Sequence, residues 1–335
     1  MTYVSGGVIQ ATDYNGFVST TSGANVNNVW GSGSTDSGWG QTSLATVSSG
    51  GTVTAAQWAS LVNTLASMGS QTGTTITSRT APVAGNVIAI LANVNTDLTN
   101  VTTNRGNAAV AGSEYGTFSG TTSKTTATGS GQTTWTITFT HTVTFASADA
   151  ARYFWNAGGR VRLQYGKSST GTDIDPDWNT FAGLCGSIYV TGRVNSAAQT
   201  ILGTSYTGTT RIGGSGGTQT TLATTTGWYS LTPGAAATTL FQLNNATSPY
   251  TGEYIRTTGA VDAGSTTLTL VTTWFQPAVS AAGTTCDISG GTATTSPATT
   301  ITGTAPTTLC TYIPPSTTYL TTASWGTPTI AASVA

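Results

Sequence analysis

Charge is what this sequence most lacks: only 6% of its 335 residues are Asp, Glu, Lys or Arg, against about 25% in ordinary soluble domains. The 10 basic and 11 acidic residues nearly cancel, leaving a formal charge of −1. Identical copies therefore repel one another little, and self-association is the expected state. Basic clusters are missing too, since Arg and Lys are scattered from Arg79 to Arg256. Nucleic-acid binding needs clustered cations to neutralise phosphates, so neither DNA nor RNA is an expected partner. No apolar run approaches the 18 residues of a membrane span, so no membrane partner is expected. The opening Met1-Thr-Tyr-Val-Ser-Gly-Gly7 has neither a basic n-region nor an apolar h-region. The expectation is a chain made in the cytoplasm without an export signal.

The groups that carry chemistry are equally sparse. His141 is the single histidine, which excludes a Ser-His-Asp or Cys-His site using a second His. It falls between Phe139 and Val143 on an apolar strand face and reads as a core residue. The alternative, three copies meeting on an axis to hold an ion, lacks a neighbouring His-x-His pair. Cys185, Cys286 and Cys310 have no metal-type spacing and read as reduced, buried thiols, with a Cys286–Cys310 bridge left open. Acidic residues amount to Glu114, Glu253 and scattered Asp, with one cluster, Asp173-Ile-Asp-Pro-Asp177. That cluster lacks the Gly and the distant Glu of a calcium loop and reads as a solvated hairpin. No carboxylate pair suited to general acid–base work is declared. Gly213-Gly-Ser-Gly-Gly217 has no following Lys and reads as a flexible loop, not a phosphate cradle. No catalytic, cofactor-binding or metal-ligating residue is assigned, no cofactor is expected, and the chain reads as non-enzymatic.

Threonine is abundant instead, with 77 copies beside 42 Gly. β-branched Thr suits a half-wet pleated surface and disfavours helix. The fold class expected is mainly β: β-sandwich-type domain(s) with a short N-terminal, coiled-coil-like helical section, in an oligomer. Four regions follow. Residues 1–50 are Gly/Ser/Asn-rich with isolated apolar anchors and read as extended arms that become ordered on a partner. Residues 51–110 carry two heptad-spaced stripes. The first is Trp58, Leu61, Leu65 and Met68, behind a Thr54/Gln57 capping box with Gly69 as its stop. The second is Val87, Leu91, Val94, Leu98 and Val101. Both are candidate oligomer-core residues, against the alternative of a helical hairpin inside one subunit.

Residues 111–280 read as the β-sandwich. Thr134–Phe145 alternates without an error: Trp135, Ile137, Phe139, His141, Val143 and Phe145 on one face, Thr on the other. A hairpin is expected about Asn156–Gly159, between strands 152–155 and 160–165. Further strands are expected at 187–190, 227–231, 239–243, 253–256 and 266–275. Residues 281–335 read as a small C-terminal β element or tip. Trp178, Trp228, Tyr229, Tyr250 and Trp325 lie beside turn-rich segments and are the candidate receptor contacts, where aromatic faces stack on sugars.

The run from Phe139 through Ala151-Arg-Tyr-Phe-Trp-Asn-Ala-Gly-Gly159 to Leu163 resembles tail-fibre-like structural proteins of tailed-phage virions. Thr273-Trp-Phe-Gln-Pro277, Ile9-x-Ala-x-Asp-Tyr-Asn15, Trp39-Gly-Gln41 and Thr54-Ala-Ala-Gln-Trp58 are similar to further parts of such chains. The firm likeness covers residues 130–165, and a looser one 1–280. The resemblance implies a virion component: a homo-oligomeric, usually trimeric, tail fibre docked on other virion proteins through residues 1–50 and touching a host-surface glycan. Two alternatives stay open, a head-decoration or collar protein and, more weakly, a glycan-degrading tailspike.

Overall fold

The computed structural model describes residues 10–19, 23–85, 93–108, 122–123, 135–167, 174–192, 199–201, 204–216, 219–246, 252–276 and 306–335. Among them run helices α1 (Ala11–Val18), α2 (Val26–Val29), α3 (Ala55–Thr72) and α4 (Val94–Asn104), then strands β1 (Thr122–Ser123) and β2 (Trp135–Thr144). Helix α5 (Ala148–Asn156), β3 (Arg160–Gly166), α6 (Ile174–Cys185) and β4 (Ser187–Thr191) follow. The short strands β5 (Gln199–Ile201), β6 (Thr204–Tyr206), β7 (Thr210–Ile212) and β8 (Gln219–Leu222) precede the longer β9 (Thr238–Asn244), β10 (Tyr254–Val261) and β11 (Thr267–Gln276). The last two are β12 (Thr307–Ile313) and β13 (Thr329–Val334).

Two antiparallel sheets dominate. One has the order β1-β12-β3-β4-β7, the other β13-β2-β11-β10-β9-β8, and β5 and β6 pair separately. The alternation read from sequence governs β2: Ile137, Phe139, His141 and Val143 are buried while Thr136, Thr138, Thr140 and Thr142 are half-exposed. A one-residue slip would invert that pattern, so the register is fixed by burial. β10 and β11 alternate just as cleanly. The buried faces of the two sheets meet directly. Tyr165 on β3 stacks on Phe241 of β9 at 6.0 Å, and its hydroxyl lies 2.7 Å from that of Thr257 on β10. Trp274 Nε1 on β11 donates to Thr308 on β12 at 3.3 Å.

Helix contributes more than composition predicts, and the described fold is mixed α/β with six helices, four of them before residue 110. The described part of the first fifty residues holds helices where extended arms were expected, and α1 and α2 pack on the α3 of the same chain. Tyr14 and Phe17 both meet Trp58 edge-on, at 5.6 and 6.1 Å. The expected capping box is present, with Gln57 N donating to Thr54 Oγ1 at 3.3 Å and Thr54 N donating to Gln57 Oε1 at 2.8 Å. The helix then runs past Gly69 to a left-handed cap at Gly73, where φ is 63°. Gly69 faces inward against Ile76, so it serves packing and leaves termination to Gly73.

Three local assignments change. The segment before Gly158 is helix, not a hairpin arm. Ser147 caps it by accepting from Ala150 N at 3.0 Å, and Ala150, Ala151, Phe154 and Trp155 are buried at helical spacing. Residues 174–185 also form a helix, with Pro176 in the first turn, where no intrahelical hydrogen bond is lost. Residues 228–230 form a single 3-10 turn instead of a strand. The C-terminal strands are not a separate tip: β12 lies between β1 and β3, and β13 pairs with β2. Each sheet is completed by chain from beyond residue 305.

Candidate functional site

Residues 36–41, helix α5 and the turn 321–324 converge on one junction. Gly40, at φ 68°, threads between α5 and the turn 322–324; a Cβ there would sit 2.4 Å from the Tyr153 ring and 2.6 Å from Ser324 Cβ. Only glycine fits that crossing. On one side of it, buried Trp39 donates from Nε1 to Asn156 O at 3.0 Å. The Asn156 amide donates to Asp36 O at 2.8 Å and Gly38 O at 3.0 Å, and its oxygen accepts from the Tyr229 hydroxyl at 2.8 Å. Arg152 donates to Ser32 O at 2.7 Å, to Ser37 O, and to Asp149 Oδ1 at 2.9 Å.

On the other side, Gln41 grips the backbone of Thr321. Its Nε2 donates to Thr321 O at 3.2 Å and its Oε1 accepts from Thr321 N at 2.8 Å. The same bidentate grip recurs between Asn15 and Val47, at 2.7 and 2.8 Å, and between Asn27 and Leu44, at 2.8 Å each way. A carboxamide presents one donor and one acceptor side by side, as a β-strand residue does. Three such groups, Asn15 on α1, Asn27 on α2 and Gln41 in irregular chain, each grip the backbone of a non-regular segment without using charge.

Above this junction lies a cleft of about 260 Å³ lined in part by Asp36, Asp149, Arg152, Trp228, Tyr229 and Ser265. Trp228 is held from behind by Trp155, stacked at 5.6 Å, and by Phe145, edge-on at 5.8 Å. The Tyr229 hydroxyl shares the one proton it gives Asn156 with Arg152 O, 3.2 Å away. Burial, and then the neighbouring Asp36 carboxylate, push that phenol well above its ordinary pKa, so it stays a neutral donor. The far wall belongs to the β10–β11 hairpin, whose turn Asp262 folds around itself by accepting from Gly264 N, Thr266 N and Thr267 N at 3.2, 2.7 and 2.6 Å. The Asp36 and Asp149 residues at the cleft are exposed. The exposed acceptors suit a ligand rich in hydroxyl groups, while Trp228, itself buried and stacked on Trp155, supports the cleft from within and offers little face for stacking. A second hollow, about 340 Å³, lies between the end of α3 and residues 74–79. Its one cation, Arg79, pairs with Asp97 at 2.5 Å.

The cleft brings together two of the aromatic residues singled out by sequence, Trp228 and Tyr229, the first only 6% exposed. The others lie elsewhere. Trp178 is buried against Trp274, stacked at 5.3 Å, and its Nε1 donates to Gln276 at 2.9 Å. Trp325 is buried at 1% exposure, so neither meets solvent as a receptor contact would. Tyr250 lies outside the described residues. The oligomer-core candidates Trp58, Leu61, Leu65, Met68, Val94, Leu98 and Val101 are all buried inside the single chain. Val87 and Leu91 lie outside the described residues. His141 is fully buried between the sheets. Cys185 and Cys310 are buried thiols, while Cys286, Glu114 and Asp173 lie outside the described residues. Among the described residues, no three His, Cys, Asp or Glu side chains gather into a metal site, and no helix is long and apolar enough to cross a membrane.

No protein-family model, curated protein or solved structure matches this chain.

The cleft must therefore be judged on its own geometry. Asp36, Asp149 and Arg152 could not be picked from sequence, because the cleft gathers chain from residues 36 to 265. The one local hint was the pair of adjacent aromatics, Trp228-Tyr229, next to a Thr-rich turn.

Proposed function

We propose that this chain is a non-enzymatic structural component of a tailed-phage virion, a tail-fibre subunit that self-associates, docks on other virion proteins and meets a host-surface glycan. The observation that carries this reading is the use made of the motif residues. Trp39, Gly40, Gln41, Arg152 and Asn156 hold the N-terminal segment, α5 and the C-terminal turn together. A signature committed to holding backbone supports a mechanical part more than a reactive pocket. The two facing sheets, read as a β-sandwich, supply the rigid body, and the Trp228–Tyr229 cleft is the glycan contact. The heptad stripes no longer argue for a three-fold helical core, because their described members are consumed within one chain; self-association rests on the low charge.

Immunogold labelling of particles with antibody to this chain tests the reading. Label on tail fibres is the expected result. Label on the head or collar would move the chain to a decoration role, and no label on any particle would overturn the proposal. A polysaccharide-release assay yielding product would overturn the non-enzymatic part.

A further inference from the structure

We infer that the open edge of β13 is where a second copy of this chain pairs, strand to strand, about a two-fold axis through Ala332. β13 is the outermost strand of its sheet and is paired only with β2 among the described residues. Ala335 and Thr138 exchange both backbone hydrogen bonds, at 2.9 Å each. In an antiparallel ladder such exchanging pairs recur at every second residue. Residues 329, 331 and 333 therefore also turn their N–H and C=O towards β2, and Ile330, Ala332 and Val334 turn theirs to the open side.

Edges of this kind are normally blunted by Lys, Pro or a bulge. Thr329-Ile-Ala-Ala-Ser-Val334 has none of these; it carries no charge, runs in unbroken register with β2 and leaves four of its six residues exposed. The occupant follows from register. With Ala332 opposite Ala332 of the second copy, Ile330 falls opposite Val334 of that copy, and the reverse. Every outward N–H then meets an outward C=O. The same register keeps both inner faces on one side, because the paired positions differ by an even number. Ile330 and Val334, now half-buried at the rim of the core, would join a continuous apolar strip across the two copies. A net charge of −1 opposes the approach very little. Shape, hydrogen bonding and charge thus all fit an identical strand.

This rests on the self-association reading but fixes its surface and its symmetry. The test is mass photometry and light scattering on the full chain, beside Ala332→Pro. That substitution removes an outward N–H and leaves the β2 ladder intact. Two chains per particle for the wild type and one for the variant, with unchanged circular dichroism, is the expected result. Hydrogen exchange on the unmodified chain gives a reading that needs no variant: the amides of Ile330, Ala332 and Val334 should be protected in the dimer and lose protection on dilution. A wild-type monomer at tens of micromolar, or fast exchange at those amides, would overturn the pairing. An oligomer indifferent to Ala332→Pro would overturn the site while leaving self-association, and the particle labelling above is decided independently of both.

Discussion

At the scale of single residues, this chain replaces charge with carboxamides. Asn156 shows the consequence. It is 3% exposed and serves two backbone carbonyls and one phenol. Asn156→Ala would leave all three partners without it, and the orphaned carbonyl of buried Gly38 costs about 1–3 kcal/mol. The part-buried Asp36 carbonyl and Tyr229 hydroxyl add less because water reaches them. We expect a loss of about 3 kcal/mol in urea unfolding, against about 1 kcal/mol for Tyr229→Phe, which removes one bond of the set. Because the two residues share a bond, the double variant should lose less than the sum. A clamp of this sort is illegible in sequence: nothing local marks Asn156 as the mate of Trp39.

Of the three cysteines expected to be buried, the two described ones, Cys185 and Cys310, are. Burial pushes Cys310 up to about 12 and Cys185 higher still, the latter only partly relieved by Arg211. Both should resist Ellman's reagent in the native state and react once denaturant is added. Their folded pKa values lie above the unfolded value of about 8.5. The stability they contribute is thus complete below pH ~8.5 and is lost as pH rises from there towards 12. Unfolding midpoints measured from pH 7 to 10 should fall at the alkaline end, and less steeply in Cys310→Ala when each midpoint is taken relative to its own value at pH 7.

At the scale of elements, what was legible was periodic and what was missed was aromatic. β2 was read from its alternation, and a period of two survives any tertiary context that keeps one face covered; β10, expected only at 253–256, runs Tyr254–Val261. The α3 start was equally readable, since a capping box is a local hydrogen-bond arrangement. Thr54→Ala should therefore cost about 1 kcal/mol in thermal or chemical unfolding. Helix α5 was misread because Tyr153-Phe-Trp155 has high strand preference, and only the burial of Ala150, Ala151, Phe154 and Trp155 discloses the 3.6 period. Tertiary packing overrode propensity there. The stop of α3 was misplaced for a related reason: Gly69 and Gly73 look alike in sequence, and only the close approach of Ile76 separates a packing glycine from a capping one.

At the scale of the whole molecule, the deciding feature is that the chain returns. Residues 281–335 looked like an appendage because Thr, Ala, Gly and Pro dominate them and Pro314-Pro315 interrupts them. Yet β12 covers β3 along seven residue pairs, from Gly166↔Thr307 to Arg160↔Ile313, and buries Cys310 against the core. β13 covers the opposite edge of β2, and Trp325 between them lies in the core at 1% exposure. Removing residues 306–335 would uncover an edge on each sheet and delete several fully buried side chains. Each large apolar side chain lost from a core costs about 2–5 kcal/mol, and a domain has only about 5–15 kcal/mol in all. The truncated chain should accordingly fail to fold: its near-ultraviolet circular dichroism should collapse and its tryptophan emission shift to the red. Were 281–335 a detachable tip, the remaining chain would keep the native spectrum and melt cooperatively, and that outcome would refute the closed two-sheet architecture on which both the cleft and the β13 edge depend.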